Sequence, residues 1–537
     1  MCFEMVSNDA EASLCDHGAQ IPRPAAAKGK GGCLCLKMLC GLFGIVLITH
    51  AASLAGAFPM RRLTELVARS SGSPVPLLGD GFPVDWWFAF KPTAEAFPNC
   101  SSQLTCEFGG DKSAFKSWSL QYVLASSKSG RTTAMSLHSD CLGNGADPVA
   151  RTFAQVYSGI AANYVIWNDQ FYGDPLLNVK PKCGRVCPAP WGHSKGVMAW
   201  GEDGTGFVMQ VSTPDWPGSG SKSKTRKQGN TLGCCQADNI RVAQHFFALR
   251  LATSYDTRLV LQALQRASVA TDPSNNQLVK LSSGPADLAS LAKQLGVVQQ
   301  VAEPFLATLS VKTARSQIRL LGKPSGLHVP PWHMVSSLLG GQPLRTATWW
   351  DRPEINSTRA GFVPGCWSSH FKSAPGEVQV ALTGEWNGEK FSLRGNPSSK
   401  SNHAKLGVSL SGTKLAVLGD MNEQGSLGMP GDEPCSASQN GRGGLFFVVE
   451  DDQLHTGLSA LMRGETADYV GGPPGEQPAP PGSCGGVGVS HHSCHKNDCT
   501  FVKQAYAQPC GVDGFGCYPS DSLAPSCPRS SDSKFVV

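Results

Sequence analysis

Two short stretches decide how this chain is read: Gly192-His193-Ser194-Lys195-Gly196-Val197 and, 210 residues later, Asn402-His403-Ala404-Lys405-Leu406-Gly407-Val408. Each sets an imidazole and an ammonium two positions apart, and a Gly and a Val follow. Two short apolar runs then come at hairpin spacing. In the first case these are residues 197–200 and 207–211, separated by Glu202-Asp203-Gly204, a turn that joins antiparallel strands. On a strand, residues i and i+2 share a face, so each H-x-K triplet is expected on a strand with its imidazole and ammonium side by side. A lone triplet carries little. Two in matching contexts, half a domain apart, predict two pseudo-equivalent halves that meet at one site.

The chemistry that calls for such a pairing is in-line cleavage of a phosphodiester. One imidazole, neutral, attacks phosphorus to give a phospho-histidine; the facing imidazole, protonated, hands its proton to the leaving oxygen. The two ammonium groups neutralise the non-bridging oxygens as charge gathers there, a task otherwise given to a metal ion. Mildly acid pH suits one charged ring beside one neutral ring. His193, Lys195, His403 and Lys405 are therefore the catalytic candidates, with neither metal nor cofactor expected. The plain alternative is a pair of exposed strand histidines beside surface lysines.

Outward from the triplets, strand and helix patterns interleave, which predicts a mixed α/β class. Short apolar runs at 84–90, 122–125, 164–167, 346–350, 378–383, 415–418 and 445–450 read as strands, the last as the final one. Residues 148–158 read as a helix. Helical spacing also runs through 237–270 (Val242, Phe246, Leu249, Leu261, Leu264), then through 287–295 and 297–309 on either side of Gly296. A further helix follows Pro330-Pro331. With 537 residues, 41% hydrophobic and only 16% charged, the chain is neither a coiled coil nor a charged disordered polymer. A net charge of +5 suits passing contact with anions and is too weak for a histone-like coat on nucleic acid.

Glycine and proline mark the boundaries. Residues 471–483 (GGPPGEQPAPPGS) form a linker that closes a main domain over 81–470, with halves of about 81–235 and 236–470; residues 59–80 form the linker ahead of it. Residues 484–537 carry six Cys within 44 residues and are too few to hold a core without crosslinks. His491, His492 and His495 stand among these cysteines, where a disulfide knot is favoured over a metal knuckle. Residues 218–228 (GSGSKSKTRKQ) form a basic loop whose Lys222, Lys224, Arg226 and Lys227 either touch phosphates or sit in solvent.

Residues 1–58 read as a leader. Within 34–58 the unbroken apolar core spans 38–48, short of the roughly 20 residues of a membrane span but suited to a signal peptide. Lys28 and Lys30 precede it, and Ala55-Gly56-Ala57 offers a cleavage site. The alternative is a signal anchor that tethers the chain to a membrane through 34–58, leaving the catalytic domain luminal. Either way the bulk of the chain enters the secretory pathway. Fifteen Cys after the leader, without zinc-finger spacing, argue for disulfides, and Asn99-Cys100-Ser101 and Asn356-Ser357-Thr358 are glycosylation sequons.

The residues around the triplets resemble the deoxyribonuclease II family. Gly81-Phe82-Pro83-Val84-Asp85-Trp86-Trp87, with Lys91-Pro92 after it, is similar to the family's G-x-P-V-D-W opening. Trp167-Asn168-Asp169-Gln170 resembles Y-N-D-Q, and Gly192-His193-Ser194-Lys195-Gly196-Val197 resembles G-H-T-K-G-V. Ser212-Thr213-Pro214-Asp215-Trp216-Pro217 is similar to S-V-P-x-F-P, and Asn402-His403-Ala404-Lys405 to D-H-S-K. Gly419-Asp420-Met421-Asn422 and Gly441-Arg442-Gly443-Gly444 match G-D-M-N and R-G-G-G, so the landmarks run in order from about 80 to 450.

The resemblance implies a phospholipase D-like fold: two α/β halves of mixed sheets flanked by helices, each lending one H-x-K to a shared cleft, with the Cys-rich module appended. It implies a metal-independent acid endonuclease that cuts double-stranded DNA with little sequence preference, leaves 3′-phosphate ends, and works in a lysosomal or secreted setting. Carried over residue by residue, His193, Lys195, His403 and Lys405 are catalytic. Asp420 and Asn422 support the second pair, although Gly-Asp-Met-Asn alone reads as an Asx turn. The chain departs from the family at Val211, where a His usually precedes the S-x-P step, and in lacking the family's cysteines near the opening motif and the second triplet. Those departures keep open a catalytically inactive relative that binds DNA or glycans. A third reading is the same chemistry on RNA or lipid head groups. Oligomeric state is not legible.

Overall fold

The run Trp86-Trp87-Phe88-Ala89-Phe90-Lys91 is buried along its whole length as strand β1 (Trp86–Lys91), because layers of protein cover both of its faces. The computed structural model describes residues 73–93, 96, 122–128, 135–138, 142–143, 146–171, 177–214, 216, 242–310, 316–395 and 401–470. It adds the backbone of short strands at 105–106, 110–111, 486–487, 499–502, 516–519 and 535–536. The leader, most of the linker at 59–80, the sequon at Asn99, the basic loop with Lys222, Lys224, Arg226 and Lys227, the linker at 471–483 and the side chains of the Cys-rich module lie outside the described residues.

The first sheet takes β1, β2 (Tyr122–Ser126), β3 (Ser136–His138), β4 (Asn163–Asn168), β5 (Lys195–Trp200), β6 (Gly206–Val211), β7 (Gln244–Leu251) and β8 (Val279–Leu281). Their spatial order is β8-β4-β5-β6-β7-β1-β2-β3. The second sheet takes β9 (Phe305–Leu309), β10 (Gln317–Lys323), β11 (Leu344–Ala347), β12 (Ser357–Thr358), β13 (Val378–Val380), β14 (Leu406–Ser409), β15 (Leu415–Gly419), β16 (Gly444–Glu450) and β17 (Tyr469–Val470). It is ordered β9-β10-β16-β15-β14-β11-β13-β12-β17.

Five strands of each sheet follow one plan. In the first sheet β4-β5-β6-β7-β1 lie side by side, every neighbour antiparallel. In the second, β11-β14-β15-β16-β10 do the same. Chain order within the two sets is also the same: the first strand of each set ends up paired with its last. Helix α1 (Pro148–Tyr157) leads from β3 to β4, and α4 (Pro331–Leu338) leads from β10 to β11. Helices α2 (Ser254–Arg266) and α5 (Asp452–Leu461) follow β7 and β16, and α3 (Ala286–Lys293) follows β8.

The helix starts are written locally. Pro148 occupies the first turn of α1, and Asp147 accepts the Ala150 N–H at 3.0 Å. Thr253 and Asp256 form a capping box at α2, and Asp451 caps α5. Helix α2 packs on β6 and β7 of one sheet and on β9, β10 and β16 of the other. A single apolar core runs through both sheets, and Phe247 of β7 meets Phe447 of β16 with ring centroids 5.5 Å apart. An aromatic contact of that kind adds about 0.5–1.5 kcal/mol beyond the area it buries.

Three expectations are corrected. Residues 237–270 are not helical throughout: β7 runs before α2, and its sequence QHFFALRL is buried on both faces, so no alternation betrays the strand. Residues 297–309 end in β9, an edge strand whose Leu306 faces solvent between the inward Phe305 and Ala307. A further strand, β17, follows residue 450. The chain also passes from sheet to sheet between Leu281 and Phe305, whereas the sequence reading divided the halves at 235/236. Strand β7 belongs to the first sheet because it closes that sheet's unit against β1. Disulfides join Cys183 to Cys187 and Cys366 to Cys435. Among the described residues no helix is long and apolar enough to cross a membrane.

Candidate active site

Neither triplet lies inside a strand. His193 and Ser194 precede β5, which Lys195 opens, and His403-Ala404-Lys405 stops one residue short of β14. The backbone there is not tied up in its own ladder and bonds across the sheets instead. The His193 N–H donates to Gly443 O at 2.7 Å, and the His403 N–H donates to Ala243 O at 2.8 Å. The rings follow suit: His193 Nδ1 lies 2.7 Å from Asp420 O, and His403 Nδ1 lies 2.8 Å from Ser212 O. A carbonyl can only accept, so each Nδ1 carries the hydrogen and each neutral ring presents an unprotonated Nε2. Each histidine is thus held at two points by the backbone of the opposite sheet.

The bracing residues occupy equal places. Ser212 follows β6 and Asp420 follows β15. The Ser212 N–H donates to His245 O at 3.1 Å while the His245 N–H donates to Ser212 Oγ at 2.8 Å. The Asp420 N–H donates to Leu445 O at 3.0 Å while the Leu445 N–H donates to Asp420 Oδ2 at 2.9 Å. What differs is the side chain. Asp420 also receives Gln210 Nε2 at 3.0 Å and the Ser194 hydroxyl, yet burial outweighs these bonds and pushes its carboxyl up to about 7. Its hydrogen bonds run to the first triplet, while its charge also bears on Lys405 of the second, the triplet that the family motif pointed to.

The lysines are held unequally. Lys195 Nζ donates to Asp169 Oδ1, and the same buried carboxylate takes Arg442 at 2.8 Å. Burial alone would raise Asp169, but Lys195 and Arg442 together outweigh it and hold the carboxyl below its usual range. Arg442 further donates to Cys187 O at 2.6 Å, Trp191 O at 3.0 Å and Gly192 O at 3.2 Å, fixing the loop that leads into His193. On the other side Lys405 Nζ donates to His403 O at 2.5 Å. Burial first, and Lys195 second, push its ammonium well below the ordinary range. Register puts Trp349 where the first sheet has Asp169, and its ring meets His403 edge-on at 5.3 Å.

The four groups act on one another. Burial, then the charges of Lys195, Arg442 and Lys405, drive His193 well below its usual pKa. Burial, then Lys405, Lys195 and His193, do the same to His403, which keeps partial exposure. Beneath the second triplet His245 accepts the Lys405 N–H at 3.1 Å, and burial with Lys405 pulls it down to about 3. The Asn422 side chain bonds to a near neighbour in the chain: its Nδ2 donates to Gln424 Oε1 at 2.7 Å. Val211 alternates with Gln210 and Ser212, so it faces the apolar core while they face the site. Among the described residues no cluster of His, Cys, Asp or Glu could hold a metal ion.

Residues 78–301 match the family model described as Deoxyribonuclease II. Over that stretch, short of half the chain, the sequence is similar to the deoxyribonuclease II family. No curated protein matches the chain. The deoxyribonuclease II match covers the first sheet and ends before β9, so His193, Lys195, Asp169 and Gln210 fall inside it, while His403, Lys405, Asp420 and Arg442 come from beyond it. Cross-sheet backbone bonds bring the two sets together. Sequence reasoning gave no role to Asp169, Gln210, Ser212, His245, Trp349 or Arg442. Asp169, Ser212 and Arg442 stood within the family-like segments, and two of them are charged residues beside apolar runs, which was the signal on offer. Nothing local marked the others.

Proposed function

We propose that this chain is a metal-independent acid endonuclease that hydrolyses DNA phosphodiester bonds through a phospho-histidine and leaves 3′-phosphate ends. The observation that carries the reading is the reciprocal bracing of His193 and His403, each with Nδ1 tied to a carbonyl of the opposite sheet and Nε2 left to react. The matching five-strand units favour a phospholipase D-like plan within a main domain over 81–470. The family and the leader favour a lysosomal or secreted setting, with an anchor through 34–58 as the alternative.

In the first step one Nε2 lone pair forms a bond to phosphorus as the bond to the 5′ oxygen breaks, and the opposite ring gives that oxygen its proton. In the second, water attacks the phosphoryl group, the same opposite ring takes the water's proton, and the P–N bond breaks to release a 3′-phosphate. Lys195 and Lys405 stabilise the negative charge that builds on the non-bridging oxygens. Burial first, and then the protein's own charges, hold both rings neutral. A phosphodiester anion between the lysines offsets those charges and raises the ring facing the leaving oxygen, and acid supplies its proton. Such cutting grips the backbone, so little base preference follows.

Plasmid nicking at pH 5 in EDTA tests this. Wild type is expected to cut, and His193→Ala and His403→Ala are each expected to lose about 10²–10⁴-fold in rate. A wild type that cuts nothing removes the enzyme reading in favour of a DNA- or glycan-binding relative. Cutting that survives both substitutions removes the mechanism, and a preference for RNA moves the substrate.

A further inference from the structure

A lysine-proline step ends the first strand of each unit: Lys91-Pro92 after β1 and Lys323-Pro324 after β10. The two lysines hold equal registers, Lys91 opposite Gln244 of β7 and Lys323 opposite Gly444 of β16. Both are buried, at 1% and 0% exposure, where a cation is costly unless it is fully bonded. Among the described residues Lys323 Nζ donates to Leu327 O at 2.5 Å, Asn440 O at 2.7 Å and Arg442 O at 2.9 Å, with Pro324 O at 3.5 Å. Lys91 Nζ donates to Val242 O at 3.3 Å. An ammonium has three donors and no acceptor, which suits a ring of carbonyls that would otherwise repel one another.

The segments so held are the ones that grip the histidines. Arg442 precedes Gly443, whose carbonyl takes the His193 N–H, and Val242 precedes Ala243, whose carbonyl takes the His403 N–H. We propose that Lys323 and Lys91 are positioning residues, each clamping the segment of its own sheet that fixes the reacting histidine of the other. Lys323 does more than Lys91, because the strand of backbone it holds also carries the Arg442 guanidinium that grips Asp169 and so Lys195. That segment has no slack: a Cβ on Gly443 would lie 2.1 Å from Ala267 O. The inference rests on His193 and His403 being the reacting pair.

The test is nicking kinetics at pH 5 in EDTA, with kcat counted per folded molecule from the amplitude of cooperative unfolding. Lys323→Met and Lys91→Met keep an unbranched stem and remove the donors. Each is expected to lower kcat on the order of 10²-fold, the effect of displacing a reacting group by about 1 Å, with KM within a few-fold of wild type. Lys323→Met added to His193→Ala is expected to cost much less than the product of the two single losses, since most of its effect passes through that ring and only the rest through Arg442, Asp169 and Lys195. An unchanged kcat per folded molecule, or a double variant whose losses multiply, overturns the proposal. If Lys323→Met leaves no folded molecules, Lys91→Met alone and with His403→Ala decides; failure of both to fold marks the lysines as structural and overturns it too. Wild type that cuts nothing brings down the nuclease reading and this inference together, whereas an active wild type with unaffected variants brings down only the inference.

Discussion

The surroundings of His193 and of His403 are alike in backbone and unlike in charge. Each ring leans on a carbonyl one residue past the equivalent strand of the other sheet, and each main-chain N–H meets a carbonyl just ahead of β16 or β7. Around His193 stand Asp169, Arg442 and Asp420; around His403 stand Trp349, Ser212, Gln244 and the neutral His245. Bracing by carbonyls is open to any sequence because every residue carries one. Charge is not, since it belongs to particular side chains. The comparison teaches that the two histidines are held the same way but tuned differently, which fits the unequal jobs that the proposed mechanism gives them.

The sharpest break in that comparison would come from the histidines themselves. Both His193→Ala and His403→Ala should slow nicking by about 10²–10⁴-fold, and a variant that keeps near-normal rates would show that its side of the site is dispensable. Next is Asp169→Asn, which leaves Lys195 and Arg442 buried without their shared carboxylate. A loss of about 3–5 kcal/mol is expected in denaturant unfolding. Trp349→Ala, at the same register on the other side, should cost clearly less, because the ring is only half-buried and pairs with no charge. Equal losses would erase the asymmetry.

Asp420 and Ser212 offer a pH test of the same contrast. Burial raises Asp420 from 3.8 to about 7 and Glu423 from 4.5 to about 8. Between pH 4 and 7 the folded chain therefore keeps a proton on Asp420 that the unfolded chain has lost, and stability falls as pH rises through that interval. Asp420→Asn should remove a share of the slope worth a few kcal/mol across the window, on the order of 1.4 kcal/mol for each pH unit crossed, leaving the share that belongs to Glu423. Ser212→Ala should leave the slope as it was. The smallest effect belongs to Ala243→Gly, about 0.5–1 kcal/mol from added backbone freedom in the unfolded chain. The reverse exchange at the matching place, Gly443→Ala, should cost more and lower kcat, since its Cβ would collide with Ala267 O.

Much of the architecture was legible. Pro148 and Pro331 marked helix starts that the structure places at those residues, and the short apolar runs at 122–125, 164–167 and 207–211 became β2, β4 and β6. The misreadings came where a strand buried on both faces happened to fit helical spacing, as Phe246 and Leu249 do in β7, or where a short edge strand followed a helix-like stretch, as in β9. At the site the two triplets were visible because their spacing is local. Asn422 was carried over by motif and its side chain bonds to Gln424, and Asp420 bonds to the first triplet while its charge reaches Lys405 of the second.

The chain's order of residues already determined which chemical groups are available: two imidazole-ammonium pairs, a buried lysine before a proline in each unit, caps and turns at the helix starts. These depend on neighbours a few positions apart, and local sterics and hydrogen bonding suffice to express them. Only the tertiary structure decided which carbonyl each ring leans on, across 227 and 191 residues of chain, and hence which nitrogen keeps its lone pair. It likewise decided that both rings are held neutral and that one lysine has a carboxylate and the other does not. Those properties arise from desolvation and from charges brought close by folding, and neither is written in any short stretch of sequence.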